Sequence, residues 1–171
     1  MSASCQEGWE KNGTHCYYWS SNKMNWTEAE DFCKMKGAHL ASVTSSAIND
    51  YVLEGKARRD LIHLWIGGTD AEVENVWKWT DCSSWEFSFW DTGEPNNFGP
   101  TCLVYRPNNK WDDWKCFNKD RFLCSQRICP GKENYIRFCL YFPEAFRGFL
   151  RPQLLVHKRH NVYCDHCFSA S

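Results

Sequence analysis

The sequence contains no run of lysine or arginine that would build a nucleic-acid surface. Its one basic cluster, His157-Lys158-Arg159-His160, is too short for that role, and 20 Lys and Arg against 21 Asp and Glu leave a formal charge of −1. No apolar stretch approaches the ~20 residues of a membrane span. The first residues, Met1-Ser2-Ala3-Ser4-Cys5, lack the apolar core of a secretory signal. The expectation is therefore a processed chain, or one whose export signal lies outside this sequence. Also missing are paired C-x2-C units among Cys5, Cys16, Cys33, Cys82, Cys102, Cys116 and Cys124, which argues against a reduced zinc site in that region.

What the chain has in abundance is cysteine and tryptophan, 11 and 10 in 171 residues. Cysteine at that density in a short chain points to an oxidising, extracellular setting where disulfides stiffen a loop-rich fold. The length suits one domain, or one domain with an appendage. Asn12-Gly13-Thr14 and Asn25-Trp26-Thr27 fit the N-glycosylation pattern, which agrees with export.

Residues 5–20 read as a hairpin, with Asn12-Gly13 as the turn between aromatic runs and Cys5 and Cys16 placed to bridge it. A helix follows, capped by Asn25 or Thr27 with Glu28 or Glu30 closing the capping box. Ala29, Phe32 and Cys33 form its apolar stripe and Gly37 its stop. If Asn25 is the cap, its amide is poorly placed for a glycan, and Asn12 is the better acceptor. A second helix starts from Thr44 or Ser45 and runs through Ile48, Tyr51 and Val52. The charged segment Lys56–Asp60 is expected to be exposed. Leu61 to Gly68 reads as a buried strand ending at a glycine pair. Residues 67–102 are long structured loops, and short strands return near 102–105 and 121–124. Strands that do not alternate with helices give an α+β fold with antiparallel sheet. Past Cys129-Pro130-Gly131 the tryptophans cease, so 1–128 is taken as one domain and 129–171 as an extension.

Gly8-Trp9, Cys16-Tyr17, Trp26-x-x-Ala29-x-x-Phe32-Cys33, His39-Leu40-Ala41-Ser42 and Trp65-Ile66-Gly67-Gly68 resemble the C-type lectin-like domain. Glu94-Pro95-Asn96, Trp111-Asp112-Asp113, Cys116 and Phe122-Leu123-Cys124 continue the likeness in order over residues 5–128, including the long-form hairpin. The resemblance implies two helices with two small antiparallel sheets, long loops, and disulfides Cys33–Cys124, Cys102–Cys116 and Cys5–Cys16. The first closes a long loop, a constraint on the unfolded chain on the order of 4 kcal/mol. Cys82 is left over, with Cys129 its nearest candidate partner.

Residues 91–113 read as a calcium site, because Ca²⁺ takes six to eight oxygen ligands with several carboxylates among them. The resemblance implies a cis bond before Pro95 and a metal set of Glu94, Asn96, Asp112 and Asp113. It implies that sugar hydroxyls complete the calcium shell while pairing with Glu94, Asn96 and Asp112. The Glu-Pro-Asn order resembles the version that takes mannose, N-acetylglucosamine and fucose. The chain departs from the pattern twice. Asp112 replaces the usual Asn and cannot donate an amide hydrogen bond. Pro100 and Thr101 stand before Cys102 where a second Glu is usual. Both changes predict a weakened site. Asp70 and Glu74 fall where an auxiliary calcium site has its acids, and solvated loop acids are the equal alternative.

The expected function is thus a calcium-dependent lectin for terminal mannose-type sugars on glycans or glycoproteins, outside the cell, as in host defence. The alternative is a calcium-independent module that binds a protein or another surface. Glu94 with Asp113 could imitate a glycosidase pair, but carboxylates set among calcium-ligand oxygens do not suit an acid with a raised pKa, so no enzyme is expected. Trp65, Trp77, Trp79, Trp90 and Trp111 are assigned to the core; Trp85, Phe98 and Trp114 could face a ligand, although burial is the favoured reading for them too. In the tail, His157, His160, Cys164 and Cys167 have zinc-like spacing, yet a disulfide or a link to another chain fits better. An odd cysteine total leaves at least one thiol either free or available, from the tail, for a disulfide-linked oligomer.

Overall fold

A computed structural model of the chain describes residues 5–128. The expectations for 129–171, including Cys129, Cys139, Cys164, Cys167 and the tail histidines, lie outside the described residues. The chain runs β1 (Glu10–Asn12), β2 (His15–Trp19), α1 (Trp26–Met35), β3 (His39–Leu40), α2 (Ser46–Arg58) and β4 (Leu64–Thr69). It continues through β5 (Lys78–Trp79), β6 (Thr101–Tyr105), β7 (Trp111–Lys115) and β8 (Leu123–Arg127). One sheet has the order β1-β2-β8-β3 and the other β5-β4-β6-β7, with all strand pairings antiparallel. This is the expected α+β architecture with two helices and two small sheets.

Local chemistry sets the helix ends. Asn25 accepts from the Glu28 N–H at 2.9 Å, and Glu28 accepts from the Asn25 N–H at 3.1 Å, so the capping box starts α1. Ser45 takes the same position ahead of α2. Both helices end with the same pair of backbone bonds. In α1, Ala38 N–H reaches Cys33 O and Gly37 N–H reaches Lys34 O; in α2, Leu61 reaches Lys56 and Asp60 reaches Ala57. Gly37 and Asp60 occupy the left-handed position, at φ +70° and +48°. This explains one correction. The expected strand from Leu61 begins instead at Leu64 and runs on to Thr69, because Leu61 is consumed in closing α2.

A second correction concerns the charged segment after Val52. Lys56 lies inside α2 and is only 3% exposed, one turn beyond Val52 on the same buried face. Its ammonium donates to Asn109 Oδ1 at 3.0 Å. On α1, Glu30 is likewise buried, between His39 Nδ1 at 2.7 Å and the Leu40 N–H at 2.8 Å, and so fastens β3 to the helix.

The core has two parts. Tyr17, Val43, Val52, Leu64, Ile66, Leu103, Tyr105 and Trp111 build one under α2, while Trp26, Ala29, Leu40, Trp65, Val104 and Phe122 build the other under α1. Trp26 spans between layers, its indole N–H donating to Ile66 O at 2.8 Å. At Gly67 a β-carbon would stand 2.5 Å from Leu40 O, so only glycine lets β4 approach the end of β3 this closely. The sulfurs pair as Cys5–Cys16, Cys33–Cys124 and Cys102–Cys116. Cys82 is also disulfide-bonded.

Candidate metal centre

The site is built where the loop 90–97 is strapped along β7. At one end Asp91 N–H donates to Trp111 O at 2.8 Å, and at the other Asp113 holds two successive backbone amides. Asp113 Oδ1 accepts from Asn96 N–H at 3.1 Å and Oδ2 from Asn97 N–H at 2.8 Å. The Asn97 side-chain amide adds bonds to Asp113 Oδ1 and to its backbone carbonyl. Between the two straps the chain passes through Glu94-Pro95, whose peptide bond is cis. Glu94 is thereby set against Asp112 and Asp113 on β7.

Glu94, Asp112 and Asp113 each present an oxygen within 4.8 Å of the others. Asp112 and Asp113 are 3% and 0% exposed. Glu94 is half-buried, yet its Oε2 is shut from solvent and has no hydrogen-bond partner. A carboxylate oxygen in that state carries unrelieved charge. Loss of water, then the carboxylates of Asp112 and Asp113, push the Glu94 carboxyl up to about 7, which corrects the expectation that no acid in this cluster would have a raised pKa. The arrangement is hard oxygen donors from three carboxylates within 4.8 Å of one another, one of which carries an orphaned oxygen. That donor set fits Ca²⁺ and offers no soft ligand for a transition metal. Asn96 is exposed beside the cluster, and its side-chain amide makes no hydrogen bond among the described residues.

Sequence reasoning missed Arg106, whose Nη1 donates to Asp112 Oδ2 at 2.9 Å. The signal was in the hairpin register. Val104 pairs with Asp112 and Tyr105 with Trp111, so Arg106 falls on Asp112's face as its diagonal neighbour across the turn. Long side chains reach over that diagonal.

Asp70 and Glu74 do not join the cluster. Asp70 is 4% exposed and accepts from Thr101 N–H, Thr101 Oγ1 and Asn75 N–H; Glu74 accepts from Gly99 N–H. Their carboxylates tie the loop after β4 to the entry of β6. Trp85 and Trp114 pack against the core, Trp114 also against His63. Phe98, next to the asparagines of the loop, is 85% exposed. Of the two sequons, Asn12 lies at the hairpin turn beside exposed Gly13 and Thr14, and the Asn25 amide oxygen is committed to capping.

Residues 22–126 match the family model described as the lectin C-type domain. The galactose-specific lectin nattectin of Thalassophryne nattereri is 32% identical over 135 residues, 74% of this chain and 82% of its own length. Ladderlectin of Oncorhynchus mykiss is 37% identical over 120 residues, 67% of this chain and 63% of its own. Among solved structures, a calcium-independent type II antifreeze protein superposes with a TM-score of 0.66 at 28% identity, covering 74% of this chain and 97% of that one. The capping box, the two sheets, the sulfur pairs and the sequence match converge on one conclusion: this chain belongs to the C-type lectin domain family.

Proposed function

We propose that this domain is a calcium-dependent, carbohydrate-binding lectin in which Glu94, Asn96, Asp112 and Asp113 hold the ion. The observation that carries the reading is the cluster of Glu94, Asp112 and Asp113 within 4.8 Å, with Glu94 Oε2 buried and unpartnered. Three carboxylates so close are unfavourable alone and favourable around a divalent cation. The bound ion would supply a Lewis-acid contact for vicinal sugar hydroxyls. Glu94, Asn96 and Asp112 orient those hydroxyls by accepting or donating hydrogen bonds. A domain of this family recognises its ligand without turning it over.

The sugar class proposed is the mannose, N-acetylglucosamine and fucose type, on the Glu94-Pro95-Asn96 order. Nattectin's name specifies galactose, so galactose is the informative competitor. Terminal sugars on glycans or glycoproteins outside the cell are the proposed partners. The lectin domain is taken to end by residue 128, with 129–171 as a separate extension. No described helix is long and apolar enough to cross a membrane. The auxiliary calcium pair, Asp70 and Glu74, is not part of this proposal, since among the described residues the clustered carboxylates are those of Glu94, Asp112 and Asp113.

Two observations favour a second reading. Arg106 already supplies a positive charge to Asp112, and a calcium-independent antifreeze protein shares the fold. In that reading the loops bind a protein or another surface with no ion. Calcium titration followed by tryptophan fluorescence, repeated with mannose and with galactose, decides between them. Saturable calcium binding that mannose tightens, lost in Glu94→Ala, supports the lectin. No response at millimolar calcium overturns it in favour of the second reading.

A further inference from the structure

A sugar hydroxyl bound at this cluster has three valences to satisfy. One lone pair goes to the ion, the proton goes to an acceptor, and the second lone pair needs a donor. Acceptors are plentiful, because Glu94, Asp112 and Asp113 offer nothing else when ionised. Donors are scarce. The Asn97 amide is spent on Asp113, which leaves the exposed Asn96 amide as one candidate. Two neighbouring hydroxyls require a second.

We propose that Arg106 is that second donor: it holds Asp112 Oδ2 with one N–H and presents its remaining N–H groups to the ligand. This inference rests on the lectin reading above. Several features support it. The guanidinium has five N–H donors, and only the one on Asp112 is engaged among the described residues. The Arg106 side chain is 41% exposed whereas Asp112's is 4%, so the arginine forms the solvent-facing edge of the pair. The turn that carries it is fixed. Arg106 N–H donates to Lys110 O at 2.8 Å, Asn109 N–H to Arg106 O at 3.0 Å, and the buried Lys56 ammonium grips Asn109 from α2. A donor on a braced turn loses little freedom on binding.

Charge balance points the same way. Three carboxylates around one divalent ion leave one surplus negative charge, which the guanidinium cancels. Arg106 thus makes the loaded site neutral toward its ligand and gives position 112 a combined acceptor and donor. Because Asp112 lacks an N–H, neither half of the pair does this alone.

The test uses the whole chain with calcium and mannose as probes, the ion followed by tryptophan fluorescence and the sugar by calorimetry. In Arg106→Ala, calcium affinity should hold or tighten, because a competing cation has gone. Mannose affinity should fall about tenfold, the usual scale for a lost hydrogen bond to a charged donor. The double variant Asp112→Asn with Arg106→Ala restores an N–H at position 112 and should recover most of the lost affinity. Arg106→Lys, which keeps the charge but not the fork, should fall between. Mannose binding in Arg106→Ala equal to the parent's would overturn the proposal. So would joint loss of calcium and mannose, which would mean that Arg106 only braces Asp112. A parent chain that binds no calcium sinks the lectin reading itself and this inference with it, whereas the variant outcomes sink this inference alone.

Discussion

Replacing Glu94 with glutamine should change stability in opposite directions with and without calcium. In the metal-free protein the substitution removes one of three crowded carboxylates. Two unit charges at the 4.8 Å limit of this cluster repel by about 0.9 kcal/mol in water and about 3.5 kcal/mol at an effective dielectric of 20. Glu94 is half exposed, so the aqueous end of that range applies. With two neighbours, one already offset by Arg106, the relief is about 1–2 kcal/mol, and the new amide N–H can donate to either aspartate. Glu94→Gln should therefore unfold some 3–8 °C higher than the parent in EGTA at pH 8, where Glu94 is ionised. With calcium the order reverses. An ion at 100 times its dissociation constant stabilises the parent by about 2.7 kcal/mol, and the variant, lacking a ligand, forgoes most of that. Thermal unfolding followed by near-ultraviolet circular dichroism, in EGTA and in excess calcium, reads both halves. At about pH 6 the metal-free gap should narrow, since Glu94 in the parent is protonated below about 7 and a proton does what the amide does. A variant less stable than the parent in EGTA, or raised as much by calcium, would refute the argument that these carboxylates are poised for a cation.

Removing the disulfide that closes the 91-residue separation, by Cys33→Ala with Cys124→Ala, should cost about 4–5 kcal/mol by denaturant midpoint, because loop closure no longer restrains the unfolded chain. Lys56→Met should be within about 1 kcal/mol of the parent or more stable in urea, since a buried ammonium held, among the described residues, only by an amide oxygen contributes little beyond its stem; Lys56→Ala, which empties that space, should cost more than about 2 kcal/mol. Burial holds His63 below its ordinary value, helped by Lys56 and Arg106 and only partly opposed by Asp120. The unfolded chain then takes up the proton first, so this contribution is present above about pH 6.5 and is lost as pH falls below it. Urea midpoints at about pH 7.5 and 5.5 should show a smaller acid loss in His63→Gln, measured in the Glu94→Gln background because Glu94 titrates there with the opposite sign. An unchanged slope would mean that His63 is not held neutral.

How far the sequence could be read depended on the range of each signal. The Asn25 and Glu28 capping box and the Asn12-Gly13 turn act over three or four residues, and both stand where their local chemistry puts them. The order of tryptophan, glycine and cysteine motifs carried the family, and with it the triplet Glu94-Pro95-Asn96 and the pair Asp112-Asp113. Glu94, Asp112 and Asp113 form one cluster because the loop is strapped to β7 by bonds that Asp113 supplies to the amides of Asn96 and Asn97.

What only the tertiary structure decided are the partners of charged groups. Lys56 and Glu30 look like surface residues in a one-dimensional pattern, because nothing local tells an ammonium or a carboxylate that an amide waits across the core. Asp70 and Glu74 look like spare calcium ligands until the entry to β6 supplies the N–H groups they hold. Arg106 reads as an ordinary turn residue, and only the β6–β7 register places it against Asp112. Chain-local hydrogen bonds and apolar periodicity are written within a few residues, so the sequence by itself determines the elements and the family. A charge is satisfied by whatever lies within about 3 Å in space. Which carboxylates remain free for an ion, and which cation stands beside them, is therefore settled by the packing of segments distant in the chain.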